Sequence, residues 1–264
     1  MEQIKTPFGG VLKLYPAEGG AGKETVLICP GGGYRFLSPR ESEPIAAVFN
    51  KNGYNGAVLE YSLEGEVLGT APVKELSWSL RWLRGEASWK ERTHKVWVAG
   101  FSAGGHLAAS LGALWNEDSL FTAQEQSLNR PDGLILAYPV ISMRENVHPG
   151  SVMRLTGGRE ELKKLFSLEE RDLSAMPPVF LWNTMEDDKV PASNSILLAN
   201  KLFQDGGSCE FHMFYKGLHG MSLATAEVES EEDNLHPDSH IARWVELCLE
   251  WMKENASTEE KEAN

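Results

Sequence analysis

Val96-Trp97-Val98-Ala99-Gly100-Phe101-Ser102-Ala103-Gly104-Gly105-His106-Leu107-Ala108-Ala109-Ser110 joins a short apolar run to a glycine-flanked serine and then to a small-residue helical pattern. The reading is strand, sharp turn, helix. Gly100 and Gly104 bracket Ser102 in the G-x-S-x-G spacing, and the spacing has a steric cause. A serine held in a strained turn needs neighbours two residues before and after that are small enough for strand and helix to pass closely. Its hydroxyl then stands above the sheet, next to the unpaired amides at the start of the following helix, where negative charge is stabilised.

The rest of the chain supplies a sheet for that turn. Residues 11–15 alternate like an edge strand; residues 25–29, 54–61, 133–138, 178–183 and 210–214 read as further strands. Helical patterns over 39–52, 74–86, 193–204 and 239–253 fall between or after them, with Pro44 placed in the first turn of its helix and Gly53 and Gly206-Gly207 as stops. Gly19-Gly20-Ala21-Gly22 reads as a turn. Trp78 and Trp82, at helical spacing with Leu76, Leu80 and Leu83, read as packing residues. Strands alternating with helices predict an α/β fold with a mostly parallel central sheet covered on both faces. Residues 143–176 break the pattern and read as a small lid or cap insertion, a segment type that shapes substrate choice.

Length and composition fit one domain over residues 1–264, with an acidic tail at about 255–264. Lys and Arg number 25 against 38 Asp and Glu, and the formal charge of −13 argues against nucleic acid or an anionic membrane as partner. The N-terminal residues lack a charged segment followed by an apolar one, and no stretch approaches a membrane span, so the expected location is cytoplasmic. Cys29, Cys209 and Cys248 have no paired spacing and read as reduced, buried thiols.

Acyl transfer by a serine needs a base for the hydroxyl proton and a carboxylate to orient the base. In a parallel α/β sheet both belong on loops beyond the strands' carboxyl ends. Asp187 follows the 178–183 strand, and His219, flanked by Leu218 and Gly220, follows the last strand. The order Ser102, Asp187, His219 is the serine, acid, histidine order of this architecture. Glu186 and Asp188 adjoin Asp187 as competing carboxylates. Among the other histidines, His106 and His212 read as satisfied within their elements, and His94 and His148 as surface residues; His236 and His240 follow the acidic run at 226–233. After the 25–29 strand, Pro30-Gly31-Gly32-Gly33-Tyr34 can aim main-chain N–H groups into a cleft, while lacking the spacing of a nucleotide-binding loop. No residues have metal-ligand spacing, and neither a metal nor another cofactor is expected.

Taken together, Cys29-Pro30-Gly31-Gly32-Gly33-Tyr34, Gly100 through Ala108, Pro177-Pro178-Val179-Phe180-Leu181-Trp182, Asp187-Asp188-Lys189-Val190-Pro191 and Leu218-His219-Gly220 resemble the α/β-hydrolase esterases related to acetyl xylan esterases and the hormone-sensitive lipase group. The resemblance implies Ser102 as nucleophile, His219 as general base and Asp187 as its orienting acid, three residues before Val190-Pro191. It also implies an oxyanion hole from the amides of Ala103 and of Gly32 or Gly33. Two positions depart from the family pattern: Pro30 stands where the lipase group usually has His, and Glu186 where related esterases often have Asp. The substrate implied is a small ester or acetylated oligosaccharide, most specifically short xylan-type fragments, with a homo-oligomer left open. A general carboxylesterase, an arylformamidase-like or peptidase-like hydrolase, and a catalytically silent binding protein on the same fold are the alternatives.

Overall fold

The computed structural model describes residues 2–19 and 23–262, so most of the turn expected at residues 19–22 and the last two residues of the acidic tail lie outside the described residues. In chain order the elements are β1 (Glu2–Lys5), β2 (Val11–Tyr15), β3 (Lys23–Cys29), α1 (Glu43–Lys51), β4 (Asn55–Glu60), α2 (Ala71–Gly85), α3 (Ala87–Lys90) and β5 (Thr93–Phe101). Then follow α4 (Ala103–Leu114), α5 (Ala123–Asn129), β6 (Gly133–Ala137), α6 (Pro149–Thr156), α7 (Glu160–Phe166), β7 (Val179–Thr184), α8 (Ser193–Asp205), β8 (Cys209–Phe214) and α9 (Trp244–Glu262).

Among the described residues the strands form one sheet in the order β1-β2-β4-β3-β5-β6-β7-β8. From β4 to β8 every pairing is parallel; β1 and β2 close one edge antiparallel. Period-two alternation splits the core into two layers. Leu27, Val98, Leu136 and Leu181 face one side, with α2 and α4, whereas Val26, Trp97, Phe180 and Trp182 face the other, with α1 and α9. Both layers are buried, as a parallel sheet requires. No helix among the described residues is long and apolar enough to cross a membrane.

The 11–15 strand is not at an edge, because β1 pairs outside it; three helices also differ from the sequence reading. The helix expected over 39–52 is divided into a 3₁₀ turn at Pro39–Glu41 and α1, with Ser42 between them off the helical backbone (φ −110°, ψ −104°). Pro44 explains the break, because its ring would strike the carbonyl of residue 40 in a continuous helix. α2 begins at Ala71, earlier than the leucine spacing suggested, since Pro72 is tolerated in a first turn. The closing helix runs on through the acidic segment to Glu262.

Residues 143–176 hold α6, α7 and a 3₁₀ turn at Leu168–Glu170. They are tied down by a few specific bonds. Arg154 donates to the carbonyls of Leu63 (2.9 Å), Gly65 (2.8 Å), Glu66 (2.9 Å) and Tyr34 (3.2 Å), and the amides of Leu68 and Gly69 donate to the carbonyls of Arg154 and Leu155.

Candidate active site

Ser102 lies between β5 and α4 with φ 54° and ψ −117°, a conformation that L side chains rarely adopt. Its neighbours hold it there. The Ser102 amide donates to the Ala137 carbonyl at 3.0 Å, and its own carbonyl accepts from His106 (3.0 Å) and Val140 (3.2 Å). A Cβ on Gly104 would overlap the carbonyl oxygens of Cys29 and Pro30, and one on Gly100 would overlap the carbonyl of Gly104. The two glycines are therefore demanded by close backbone passage.

The parallel sheet brings the predicted partners to the same end. Ser102 Oγ lies 2.8 Å from His219 Nε2, and His219 Nδ1 lies 2.8 Å from Asp187 Oδ2. The Asp187 side chain is fully buried, and its other oxygen accepts from the amides of Lys189 (3.1 Å) and Val190 (2.8 Å). With Nδ1–H donating to that carboxylate, Nε2 is left as the acceptor for the serine proton. Of the competing acids, Glu186 is exposed, and Asp188 accepts the main-chain N–H of His219 at 3.0 Å. Asp188 is thus a loop anchor. Positive φ at Gly217 and Gly220 lets the loop turn on each side of the histidine.

Beyond β3 the glycine turn is shaped by a buried acid that no sequence motif marks. Glu41 Oε2 accepts the Gly31 amide at 2.8 Å, and Oε1 accepts the Tyr138 hydroxyl at 2.7 Å. Tyr138 Oη in turn accepts the Ser222 amide at 3.0 Å, and its ring meets that of His219 edge-on at 5.1 Å. One carboxylate thus links the glycine turn to the histidine loop. The Gly31 amide is spent on Glu41, while those of Gly32, Gly33 and Ala103 have no acceptor among the described residues. A side chain at Gly32 would overlap the Phe36 carbonyl, so φ 126° and tight packing both require glycine there.

A second buried group joins this turn to α4. Tyr34, next to Gly33 and itself at φ 60°, donates to His106 Nδ1 (2.8 Å), and His106 Nε2–H donates to the Phe166 carbonyl (2.9 Å). Burial drives the His106 pKa down to about 4, partly offset by the bond to Phe166. Tyr34 is buried and Arg35 lines the cleft. His212 is half-buried and bonded to Glu210 at 2.7 Å; His94, His236 and His240 are exposed.

The cleft over Ser102 and His219 has a volume of ≈ 600 Å³ and includes Gly32, Gly33, Arg35 and Lys189 in its walls. His148, read from the sequence as a surface residue, is half-buried and lines this cleft, because α6 folds its N-terminus over the glycine turn. Burial and the nearby His219 and Arg35 lower its pKa. A more open groove of ≈ 620 Å³ along α9 contains none of these residues. Cys29 and Cys248 are buried free thiols with pKa values pushed up by desolvation; Cys209 is half-buried and pushed up to about 12. Among the described residues no group of three His, Cys, Asp or Glu could hold a metal ion.

The comparisons agree with this architecture. The BD-FAE family model matches residues 12–137. The endo-1,4-beta-xylanase B of Butyrivibrio fibrisolvens is 34% identical over 212 residues, 78% of this chain and 33% of that protein. The acetylxylan esterase of Xylanibacter ruminicola is 31% identical over 206 residues, 74% of this chain and 40% of that protein. The chain thus spans between a third and two fifths of the length of these curated relatives. The crystal structure of an acetyl ester-xyloside bifunctional hydrolase from Caldicellulosiruptor lactoaceticus superposes with a TM-score of 0.80 at 32% identity, covering 94% of this chain and 89% of that one. With a mostly parallel eight-stranded sheet, a serine on the turn after its β5 strand and this likeness along nearly its whole length, the chain belongs to the α/β-hydrolase esterase family.

Proposed function

We propose that the protein is a serine carboxylic-ester hydrolase that removes acetyl groups from short xylan-type oligosaccharides through an acyl-enzyme. The observation that carries the mechanism is the continuous path from Ser102 Oγ to His219 to buried Asp187, with 2.8 Å at both steps. The sugar assignment is supported by the acetylxylan and xyloside relatives.

Ser102 Oγ attacks the acetyl carbonyl carbon as its proton passes to His219 Nε2. Asp187 holds the ring so that Nε2 faces the serine, and its charge stabilises the imidazolium. The carbonyl oxygen becomes an oxyanion that accepts hydrogen bonds from the free amide of Ala103 and from that of Gly32 or Gly33. Collapse breaks the bond to the sugar oxygen, which leaves with the proton from His219. Water then gives a proton to His219, attacks the acetyl-serine, and a second collapse releases acetate and restores Ser102.

The test is acetate release from acetylated xylo-oligosaccharides and simple acetyl esters, with wild type and Ser102→Ala in parallel. Wild-type turnover should exceed that of the variant by on the order of 10⁴-fold. Cleavage of simple esters alone would leave the mechanism and remove the oligosaccharide assignment. Release from neither, with turnover of formamides or peptides instead, would move the chemistry to amide hydrolysis.

A further inference from the structure

Arg35, Arg40 and Lys189 line the catalytic cleft against Glu41 and Asp233, three cations to two anions in a chain of formal charge −13. Tracing each charge to its partner leaves one over. Arg40 donates to the carbonyls of Val228 (2.5 Å) and Gly220 (2.8 Å), Lys189 faces Asp233 at 3.6 Å, and Glu41 is occupied by Gly31 and Tyr138. Arg35, exposed at the cleft wall, has neither an acid nor a hydrogen-bond acceptor among the described residues.

The neighbouring imidazole is in the same condition. His148 Nδ1 accepts the Ser151 amide at 3.2 Å and lies 2.9 Å from Ser151 Oγ, which puts the neutral ring's proton on Nε2. Nε2 has no acceptor among the described residues and is not a buried atom, so it is open to the cleft that the ring lines. The two groups are adjacent across Gly150: a Cβ there would stand 3.2 Å from His148 Cε1 and 3.7 Å from the Arg35 guanidinium carbon. The His148 ring also borders Gly33, 3.3 Å from where its Cβ would be. Beside the glycine turn there is therefore a patch that only donates.

We propose that Arg35 and His148 form a carboxylate-binding subsite of the catalytic cleft, and that the preferred substrates are esters carrying a free carboxylate. This rests on the ester-hydrolase reading. A neutral sugar offers hydroxyls that donate as well as accept, and a cleft shaped for it would mix both kinds of partner. A carboxylate only accepts, and a guanidinium fork with an adjacent N–H suits its two oxygens. The strong negative charge of the chain repels anions at long range, so any such selectivity must come from this local pair. The carboxylate could belong to the leaving sugar, as a uronic acid substituent, or to the acyl group, as the half-ester of a dicarboxylic acid.

Two substrate pairs separate these sources: an acetylated xylo-oligosaccharide with and without a glucuronic acid substituent, and 4-nitrophenyl hemisuccinate beside 4-nitrophenyl butyrate. Each is turned over by wild type, Arg35→Gln, Arg35→Glu, His148→Ala and Ser102→Ala at low and high salt. The expected result is a roughly 10-fold kcat/KM preference for the acidic member of one pair, carried by KM and reduced by salt. That ratio should vanish in Arg35→Gln and invert in Arg35→Glu; His148→Ala should reduce it. The pair that shows the preference identifies the source. Ser102-dependent hydrolysis without preference in either pair, or a ratio unmoved by both Arg35 variants, overturns the subsite alone. Absence of Ser102-dependent hydrolysis from all four substrates overturns the ester-hydrolase reading, and the subsite with it.

Discussion

Two adjacent carboxylates serve the histidine loop in different ways. Asp187 meets the imidazole of His219, whereas Asp188 meets its main-chain N–H. Asp187→Asn keeps the shape but favours the wrong tautomer, so kcat should fall on the order of 10³- to 10⁴-fold. Asp188→Asn retains an acceptor for the amide and should lose no more than about 3-fold. Steady-state kinetics of the two variants measures both; a large loss in Asp188→Asn would reverse the roles. Glu41 makes a further expectation at this scale. Glu41→Leu strands the Gly31 N–H and the Tyr138 hydroxyl in a buried place and should cost about 2–4 kcal/mol in urea unfolding, whereas Glu41→Gln still accepts from Gly31 and should recover part of it. Ser102 and His219 were legible because glycine spacing and strand order are local signals. Glu41, Tyr138 and His148 were not, because their roles arise across long separations, 97 residues for the Glu41–Tyr138 bond, that no window of sequence contains.

Among the elements, those with their own punctuation could be read directly and those placed by partners could not. β3, β5, β6 and β7 each contain a continuous apolar run, and the turn carrying Ser102 announced itself by its glycines. α5 carries its own start signal, since Thr122 caps it and Glu125 reaches back to complete a capping box. β1 has little apolar content and exists because β2 pairs with it. The 143–176 segment could be recognised as irregular, yet its position depends on Arg154, whose guanidinium and Nε serve four carbonyls from two other segments. Arg154→Ala should therefore loosen α6 without unfolding the sheet. Hydrogen exchange over residues 149–156 should accelerate by an amount equivalent to about 2 kcal/mol of local opening, while β5 and β6 stay protected. Equal acceleration throughout the chain would mean that Arg154 supports the global fold instead.

At the scale of the molecule, the glycine turn, α4 and the 143–176 segment meet at one side chain, His106, through Tyr34 and Phe166. The site geometry and the stability of the fold are coupled there. In the neutral form both ring nitrogens are engaged, Nδ1 accepting and Nε2 donating. Protonation would place an unpaired charge in a fully buried site and force the Tyr34 hydroxyl to turn from donor to acceptor. Because the folded-state pKa, about 4, lies below the ordinary value of 6.5, the unfolded chain binds the proton first as pH falls. The contribution is fully present above pH 6.5 and is lost progressively down to about pH 4, amounting to about 3 kcal/mol across that window. His106→Gln provides the control, since its amide can accept from Tyr34 and donate to Phe166 without titrating. Urea unfolding at pH 7 and pH 4 should show wild type losing about 3 kcal/mol more than the variant, whatever their difference at pH 7. Parallel losses in the two proteins would assign the acid sensitivity to other groups and remove His106 from its place as the coupling point.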